Sequence, residues 1–312
     1  MEALQQAFFL VLGFVMLIKG ADWFVEGASK IADRFGIPQL VIGLTIAAMG
    51  TSAPEAAVSI TSALKGSAEI TIGNVIGSNI LNVFIILGLT AVVRSIPVQS
   101  STIKYELPLT IAVTVLLAGL GLADNTVSRV EGVILWVVFI GYLIYLLKMA
   151  KAGQGAAEEA ADTSKDPMWK LIILVIIGVV LIVWGSDVTV DAATAIAKIF
   201  GMSERLIGLT IVALGTSLPE LVTSVTAAIK GKADIAVGNV VGSNIFNILF
   251  VVGTTALITP VAYSASFVVD SIIAVAAMVL LLVCVMPKKK LNRPAGIVML
   301  LCYVGYFIYL IQ

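Results

Sequence analysis

The chain has 312 residues, of which 60% are apolar and 12% charged, with nineteen basic and nineteen acidic side chains in balance. A water-soluble globule, in which about a quarter of residues carry charge, is excluded, and basic residues scattered in ones and twos leave no footprint for nucleic acid. A bilayer span takes about 20 mostly apolar residues, so ten spans fill most of the chain and leave no room for a sizeable extramembrane domain.

Hydropathy breaks at polar clusters predict about ten helical segments, at 4–33, 39–65, 70–94, 105–122, 127–149, 168–198, 204–230, 233–258, 263–285 and 292–311. The first has no basic residues ahead of its apolar run and no cleavage site, and is read as a retained span. The first and sixth exceed a perpendicular span; they are expected to tilt or to emerge at the interface, carrying Asp22 or Asp187 there. Between the fifth and sixth, the Ala/Gly/Glu-rich stretch Gly153 to Pro167 has the composition of a flexible linker. The fold class expected is an all-α membrane protein, with one five-helix repeat at 1–149, a linker at 150–167 and a second five-helix repeat at 168–312.

The repeat is internal and explicit. Residues 43–92 align without gaps on residues 208–257 at an offset of 165, with about 28 identities in 50 positions. Upstream, Gly20 and Asp22 match Gly185 and Asp187. Because each half has five segments, an odd number, the second copy enters the membrane from the opposite side, an inverted repeat of the kind that places a transport site at midplane between halves. With the N-terminus placed outside, fourteen Lys and Arg residues face the cytoplasm and four face out, so the positive-inside rule predicts a multi-pass protein of the cell membrane with both termini extracytoplasmic and the 150–167 linker cytoplasmic. The run Lys288 to Arg293 is read as a topology anchor, with an anionic lipid headgroup as the alternative partner.

Cys284 and Cys302 sit inside apolar segments without companions at metal-like spacing and are read as reduced packing residues, and histidine is absent. Zinc and haem chemistry are therefore not expected, and no cofactor is.

The chemistry lies in two hexapeptides, Gly-Thr-Ser-Ala-Pro-Glu at 50–55 and Gly-Thr-Ser-Leu-Pro-Glu at 215–220, each placing a glutamate near the middle of a span. A carboxylate there costs about 2.5 kcal/mol or more and is retained for an ion or proton pathway. Pro54 and Pro219 remove a backbone donor, which frees the carbonyls of Gly50 and Gly215, and those of Thr51 and Thr216 beside them, in a setting where bare carbonyls are tolerated only against protein or a cavity. Ser52, Glu55, Ser59 and Ser62 share one helix face, as do Ser217, Glu220 and Ser224; Asn74, Ser78 and Asn82 are mirrored by Asn239, Ser243 and Asn247. Ser59, Ser62, Ser224, Asn79 and Asn244 are read as inter-helix hydrogen bonders, and Gly73, Gly77, Gly238 and Gly242 as close-packing positions. The result is an all-oxygen site carrying two negative charges, suited to Ca2+ or Na+ and poorly suited to soft metals. An intramembrane hydrolase using Ser52 or Ser217 lacks a base, since neither histidine nor a paired lysine is at hand; the inverted repeat disfavours a channel.

These two blocks resemble the alpha-repeats of the cation/calcium exchanger superfamily, in particular its prokaryotic Na+/Ca2+ exchanger branch. The resemblance implies a secondary antiporter, not an enzyme, that exchanges Na+ for Ca2+ by alternating access, with Ca2+/H+ antiport on the same scaffold as the alternative. It implies that Glu55 and Glu220 clamp Ca2+ with the carbonyls of Thr51 and Thr216. It also implies that the carbonyls of Ala48 and Ala213, with Ser52, Ser78, Ser217 and Ser243, complete flanking Na+ sites around Asn82 and Asn247. Potassium-dependent members carry Asp where this chain has Asn247, and proton-coupled members carry a second carboxylate where it has Val75 and Val240. K+ dependence is therefore disfavoured and Na+ favoured over H+. No obligate protein partner is implied.

Overall fold

A computed structural model describes residues 2–68, 70–157, 166–202 and 213–311. Twelve helices account for nearly all of it: α1 Glu2–Phe35, α2 Gln39–Thr51, α3 Ala53–Leu64, α4 Ile70–Val93, α5 Thr102–Asp124, α6 Arg129–Ala157, α7 Met168–Ile199, α8 Ala213–Gly215, α9 Leu218–Ile229, α10 Ala233–Ile258, α11 Ser266–Val285 and α12 Arg293–Ile311. Long apolar runs take this form because a helix satisfies its own backbone where lipid cannot. Among the described residues eight helices are long and apolar enough to cross a membrane, and the α2–α3 pair, bent by 47°, adds a ninth. The second-half counterpart of α2 falls at 204–212, outside the described residues, as does 158–165 of the expected linker. Residues 150–157 prolong α6.

The same punctuation recurs in both halves. Gly36, Gly66, Gly201 and Gly231 all adopt positive φ, between 62° and 83°. At each, the next residue reaches back five positions for a carbonyl: Ile37 to Ala32 at 2.9 Å, Ser67 to Ser62 at 2.9 Å, Met202 to Ala197 at 3.0 Å and Lys232 to Ala227 at 2.8 Å. These are glycine-terminated helix ends, where a left-handed residue lets the last carbonyls be satisfied. Both pairs of glycines are 165 residues apart, and Gly36 with Gly201 lies outside the matched blocks, so the duplication extends to that helix end.

The predicted segment 39–65 is not one kinked helix. The chain stops helical geometry at Ser52 (φ −84°, ψ 10°) and restarts with Pro54 in the first turn of α3; Ser217 (φ −92°, ψ 2°) and Pro219 do the same ahead of α9. Proline in the first turn removes only a donor that has no intrahelical acceptor. Each proline therefore begins a helix that points its N-terminus inward.

Short antiparallel strand pairs tie connectors together. β1 Ile96–Pro97 pairs with β4 Lys290–Leu291, and β2 Thr126–Val127 with β3 Val261–Ala262. Arg94 donates to the Ile229 carbonyl at 2.6 Å, Arg129 to that of Ile258 at 3.0 Å, and Lys30 pairs with Asp166 at 2.7 Å. Residues 33, 94–98, 166, 229–232 and 289–291 thus gather on one side and 125–127 with 258–263 on the other, the alternation that two inverted five-helix repeats require. The chain is an all-α membrane protein of that class.

Two layers hold the site. α4 and α10 lie at the centre, and α10 is buried along almost its whole length. Gly238 and Gly242 admit α2, since a Cβ there would meet the Leu40 carbonyl oxygen and the Leu44 Cα at 2.8 Å. The repeat counterparts of Leu40 and Leu44 are Arg205 and Leu209, which lie outside the described residues. Outside this core, α1 and α7 pack on each other along a glycine seam. A Cβ at Gly13 would stand 3.0 Å from the Gly185 carbonyl oxygen, and one at Gly20 would stand 2.8 Å from that of Gly178.

Candidate functional site

The break before α3 and α9 sets the position of both glutamates. Glu55 and Glu220 lie in the first turn of their helices, where the partial positive charge of a helix N-terminus favours an anion. Both are 0% exposed. They are close enough for their charges to repel, and the hydrogen bonds found at their side chains come from hydroxyls, not from a cationic group.

The halves serve each other. Ser52 Oγ donates to Glu220 Oε1 at 2.7 Å, across 168 residues of sequence. Ser78 Oγ donates to Glu55 Oε1 at 3.2 Å and lies 3.3 Å from Ser217 Oγ, so its position is shared with the second hexapeptide. Ser243 Oγ donates to the Ala48 carbonyl at 3.4 Å, which also accepts the Ser52 backbone N–H at 3.0 Å. Thr51, buried, has its hydroxyl 3.0 Å from the Ala47 carbonyl and 3.1 Å from Asn239 Oδ1. Thr216 approaches Glu55. Asn74 Nδ2 donates to Ser59 Oγ at 2.9 Å and to the Glu55 carbonyl at 3.2 Å, and Asn239 Nδ2 to Ser224 Oγ at 3.0 Å and to the Glu220 carbonyl at 3.4 Å. The serines read as inter-helix bonders hold the start of each short helix in this way. Ala213 opens α8, at the edge of the described residues.

Asn82 and Asn247 each begin a π-helical turn, Asn82–Leu87 and Asn247–Val252, at the same offset of 165. Such turns insert a residue into the helical ladder and mark functional sites. Their amide groups are oriented by the neighbouring asparagines. Asn82 Nδ2 donates to Asn244 Oδ1 at 2.9 Å, and Asn247 Nδ2 donates to Asn79 Oδ1 at 3.2 Å. Asn79 and Asn244 are themselves fixed crosswise, each donating to the other's backbone carbonyl at 3.1 and 3.3 Å. With the nitrogens committed, Asn82 and Asn247 present oxygen on the other edge.

Four buried oxygens in this cluster have no hydrogen-bond partner: Glu55 Oε2, Glu220 Oε2, Asn82 Oδ1 and Asn247 Oδ1. Buried polar atoms are nearly always paired, and two such pairs related by the repeat are a donor set for a hard cation. Among the described residues no group of three His, Cys, Asp or Glu gathers to hold a metal ion, so the charge comes from two carboxylates and the remaining oxygens are neutral. Sequence reasoning named the glutamates, serines and central asparagines; it missed the orienting role of Asn79 and Asn244. It also missed Glu106, a fully buried carboxylate in the π-helical turn Thr102–Glu106, which accepts a hydrogen bond from Tyr145. The signal available for Glu106 was an acidic residue followed by an unbroken apolar run.

The profile of the family described as sodium/calcium exchanger protein matches twice, over residues 6–148 and 170–312. The chain is 43% identical over 307 residues to the putative antiporter CaxA of Alkalimonas amylolytica, covering 96% of each chain. It is 31% identical over 339 residues to the sodium/calcium exchanger MaX1 of Methanosarcina acetivorans, covering 96% of this chain and 97% of the other. A solved structure of the sodium-calcium exchanger NCX_Mj, soaked with zero Na+ and Ca2+, superposes with a TM-score of 0.85 at 32% identity, covering 99% of both chains.

Proposed function

Since the chain belongs to the sodium/calcium exchanger protein family and is a multi-pass membrane antiporter of cations, we propose that it exchanges Na+ for Ca2+ by alternating access, binding the ions between Glu55 and Glu220. The observation that carries this reading is the set of unpartnered buried oxygens on Glu55, Glu220, Asn82 and Asn247. Ca2+ takes six to eight oxygen ligands; the two carboxylates and the carbonyls of Thr51 and Thr216 supply the inner set in this proposal. Ser52, Ser78, Ser217 and Ser243, with the carbonyls of Ala48 and Ala213, serve flanking Na+ sites. A helix N-terminus behind each glutamate favours its ionised form in the cycle.

The arithmetic of charge selects between cargoes. One Ca2+ neutralises two carboxylates, so the loaded site crosses the low-dielectric core without net charge, whereas three Na+ leave one positive charge. The neutral amides Asn82 and Asn247 add no anion for a further K+. On sidedness, we propose that both termini lie outside the cytoplasm and that 150–167 is a cytoplasmic linker between repeats at 1–149 and 168–312. The basic connectors support this: Arg94, Lys230, Lys289 and Lys290 belong to the one group of connectors.

The test is reconstitution into sealed proteoliposomes. An outward Na+ gradient should drive Ca2+ uptake, and K+ should be dispensable. Uptake driven by a pH gradient in the absence of Na+ would replace this reading with Ca2+/H+ antiport; Ca2+ current without any counter-ion would replace it with a channel.

A further inference from the structure

Inverted repeats would superpose in a symmetric molecule, and among the described residues this one departs from symmetry where its long outer helices meet the short helices. α1 lies along α9, where its Leu17, Ala21 and Phe24 share a cluster with Ala227, Ala228 and Leu218. The mirrored pair, α7 and α3, makes no comparable contact. Exposure reports the same difference: Thr223 on α9 is 0% exposed and its counterpart Val58 on α3 is 41% exposed.

A duplicated ion pair follows this asymmetry. Lys230, just past the end of α9, holds Asp22 of α1 with Nζ 2.6 Å from Oδ1 and 3.0 Å from the Asp22 carbonyl oxygen. The offset of 165 maps Asp22 onto Asp187 of α7 and Lys230 onto Lys65 past the end of α3. Among the described residues neither Lys65 nor Asp187 has an ion-pair or hydrogen-bond partner on its side chain, and both are exposed. The other contact on the closed side, Lys232 with Asp33 at 3.7 Å, has no such duplicate, because the mirrored positions are Ser67 and Lys198.

We propose that Asp22–Lys230 and Asp187–Lys65 are reciprocal latches, one for each face of the transporter. The first forms when α1 closes on α9, the second when α7 closes on α3, and each must open for the other to form. Repeats that exchange conformations give α3 the contact that α9 makes here, and lysine and aspartate stand ready at the mirrored positions. The four residues are positioning residues: they touch no ion in the central cluster and act through the helices they join. Because each pair is partly solvated, its share of the balance is small enough to be remade in every cycle. The inference rests on the alternating-access reading above.

The test replaces Cys284 and Cys302 by serine and introduces one reporter at a time, Val58→Cys or Thr223→Cys, labelled with a membrane-impermeant thiol reagent. Lys230→Gln should raise labelling of the Thr223 reporter and lower that of Val58, by about two- to five-fold; Lys65→Gln should do the reverse. The swap Asp22→Lys with Lys230→Asp should restore the original pattern. Both neutralisations moving labelling in the same direction would overturn the proposal. A second arm needs no neutralised latch. Lys65→Cys with Asp187→Cys should be joined by a short bifunctional thiol reagent during turnover, as should Asp22→Cys with Lys230→Cys, each stopping exchange. Joining of the second pair but never the first would also overturn it. If both pairs are joined but the parent protein shows no counter-ion-dependent Ca2+ flux, the latches stand and the exchange reading falls.

Discussion

Replacing Glu220 by glutamine tests the central cluster with little change in shape. The amide keeps an oxygen to accept from Ser52 Oγ, which lies 2.7 Å from Glu220 Oε1, so the cross-half contact and the fold survive. What is lost is one of two buried negative charges. Two unit charges 4 Å apart attract by about 4 kcal/mol at an effective dielectric near 20, and a divalent ion doubles that to about 8 kcal/mol. Removing a carboxylate also relieves the cost of holding it in the membrane, about 2.5–3.5 kcal/mol. The difference, about 5 kcal/mol, corresponds to Ca2+ binding weakened by roughly a thousandfold or more. Glu55→Gln should behave alike, because it removes the same charge from the cluster while its amide keeps an oxygen for Ser78 Oγ, 3.2 Å from Glu55 Oε1. The assay is Na+-driven Ca2+ uptake in proteoliposomes beside Ca2+ titration of the purified protein, with thermal unfolding as the check on folding. A folded Glu220→Gln protein that takes up Ca2+ within tenfold of the parent would refute the assignment of this carboxylate to the ion.

Four further outcomes are expected. Exchange of three Na+ for one Ca2+ should be electrogenic, the charged step sensing about 2.3 kcal/mol per elementary charge per 100 mV; identical initial uptake rates at opposite valinomycin-clamped potentials would exclude that stoichiometry. Asn244→Ala should free Asn82 Nδ2, which donates to Asn244 Oδ1 at 2.9 Å, and let that amide turn; cation affinity should fall by about 1–2 kcal/mol, read by Ca2+ titration, with retained affinity counting against the orienting role. Gly20→Val should separate α1 from α7, because even a Cβ there would lie 2.8 Å from the Gly178 carbonyl oxygen; a drop in melting temperature in detergent is the measurement. Lys170, then Lys30, holds the Asp166 carboxyl down at about 2, below its ordinary 3.8. Its tie between α1 and the start of α7 is therefore fully present above 3.8 and lost only as pH falls through about 2, so proteolysis near 150–167 should not change on acidification from neutrality to pH 3.8.

Much of this was legible in the sequence because duplication repeats costly residues. A glutamate in an apolar run is conspicuous once, and Glu55 with Glu220 at a fixed offset is a pair whose geometry follows from the repeat. The prolines gave the position of the break but not its form: a proline inside an apolar segment suggests a kink, and only the backbone at Ser52 and Ser217 shows two helices beginning anew. Which serine serves which carboxylate was not legible, since Ser52 sits three residues from Glu55 yet bonds Glu220. The π-helical turns at Asn82 and Asn247 leave no periodic trace, because one inserted residue shifts a helix face without changing composition. Asn79 and Asn244 are read from sequence as inter-helix hydrogen bonders, which they are; the same side chains also aim the neighbouring amides.

The crosswise bonding of Ser52 to Glu220 and of Ser78 to both Glu55 and Ser217 has a consequence for biogenesis. The first half leaves the ribosome and enters the bilayer while the residues that complete its polar cluster are still unmade. Until α9 and α10 insert, Glu55 has its own-half serine but not the second hexapeptide, and Ser52 has no carboxylate to bond. The two halves are thus each other's chaperone: neither can bury its share of the cluster at low cost alone. A chain truncated after the first repeat should be recognised by membrane quality control and degraded, and co-expressing the halves as separate polypeptides should rescue both.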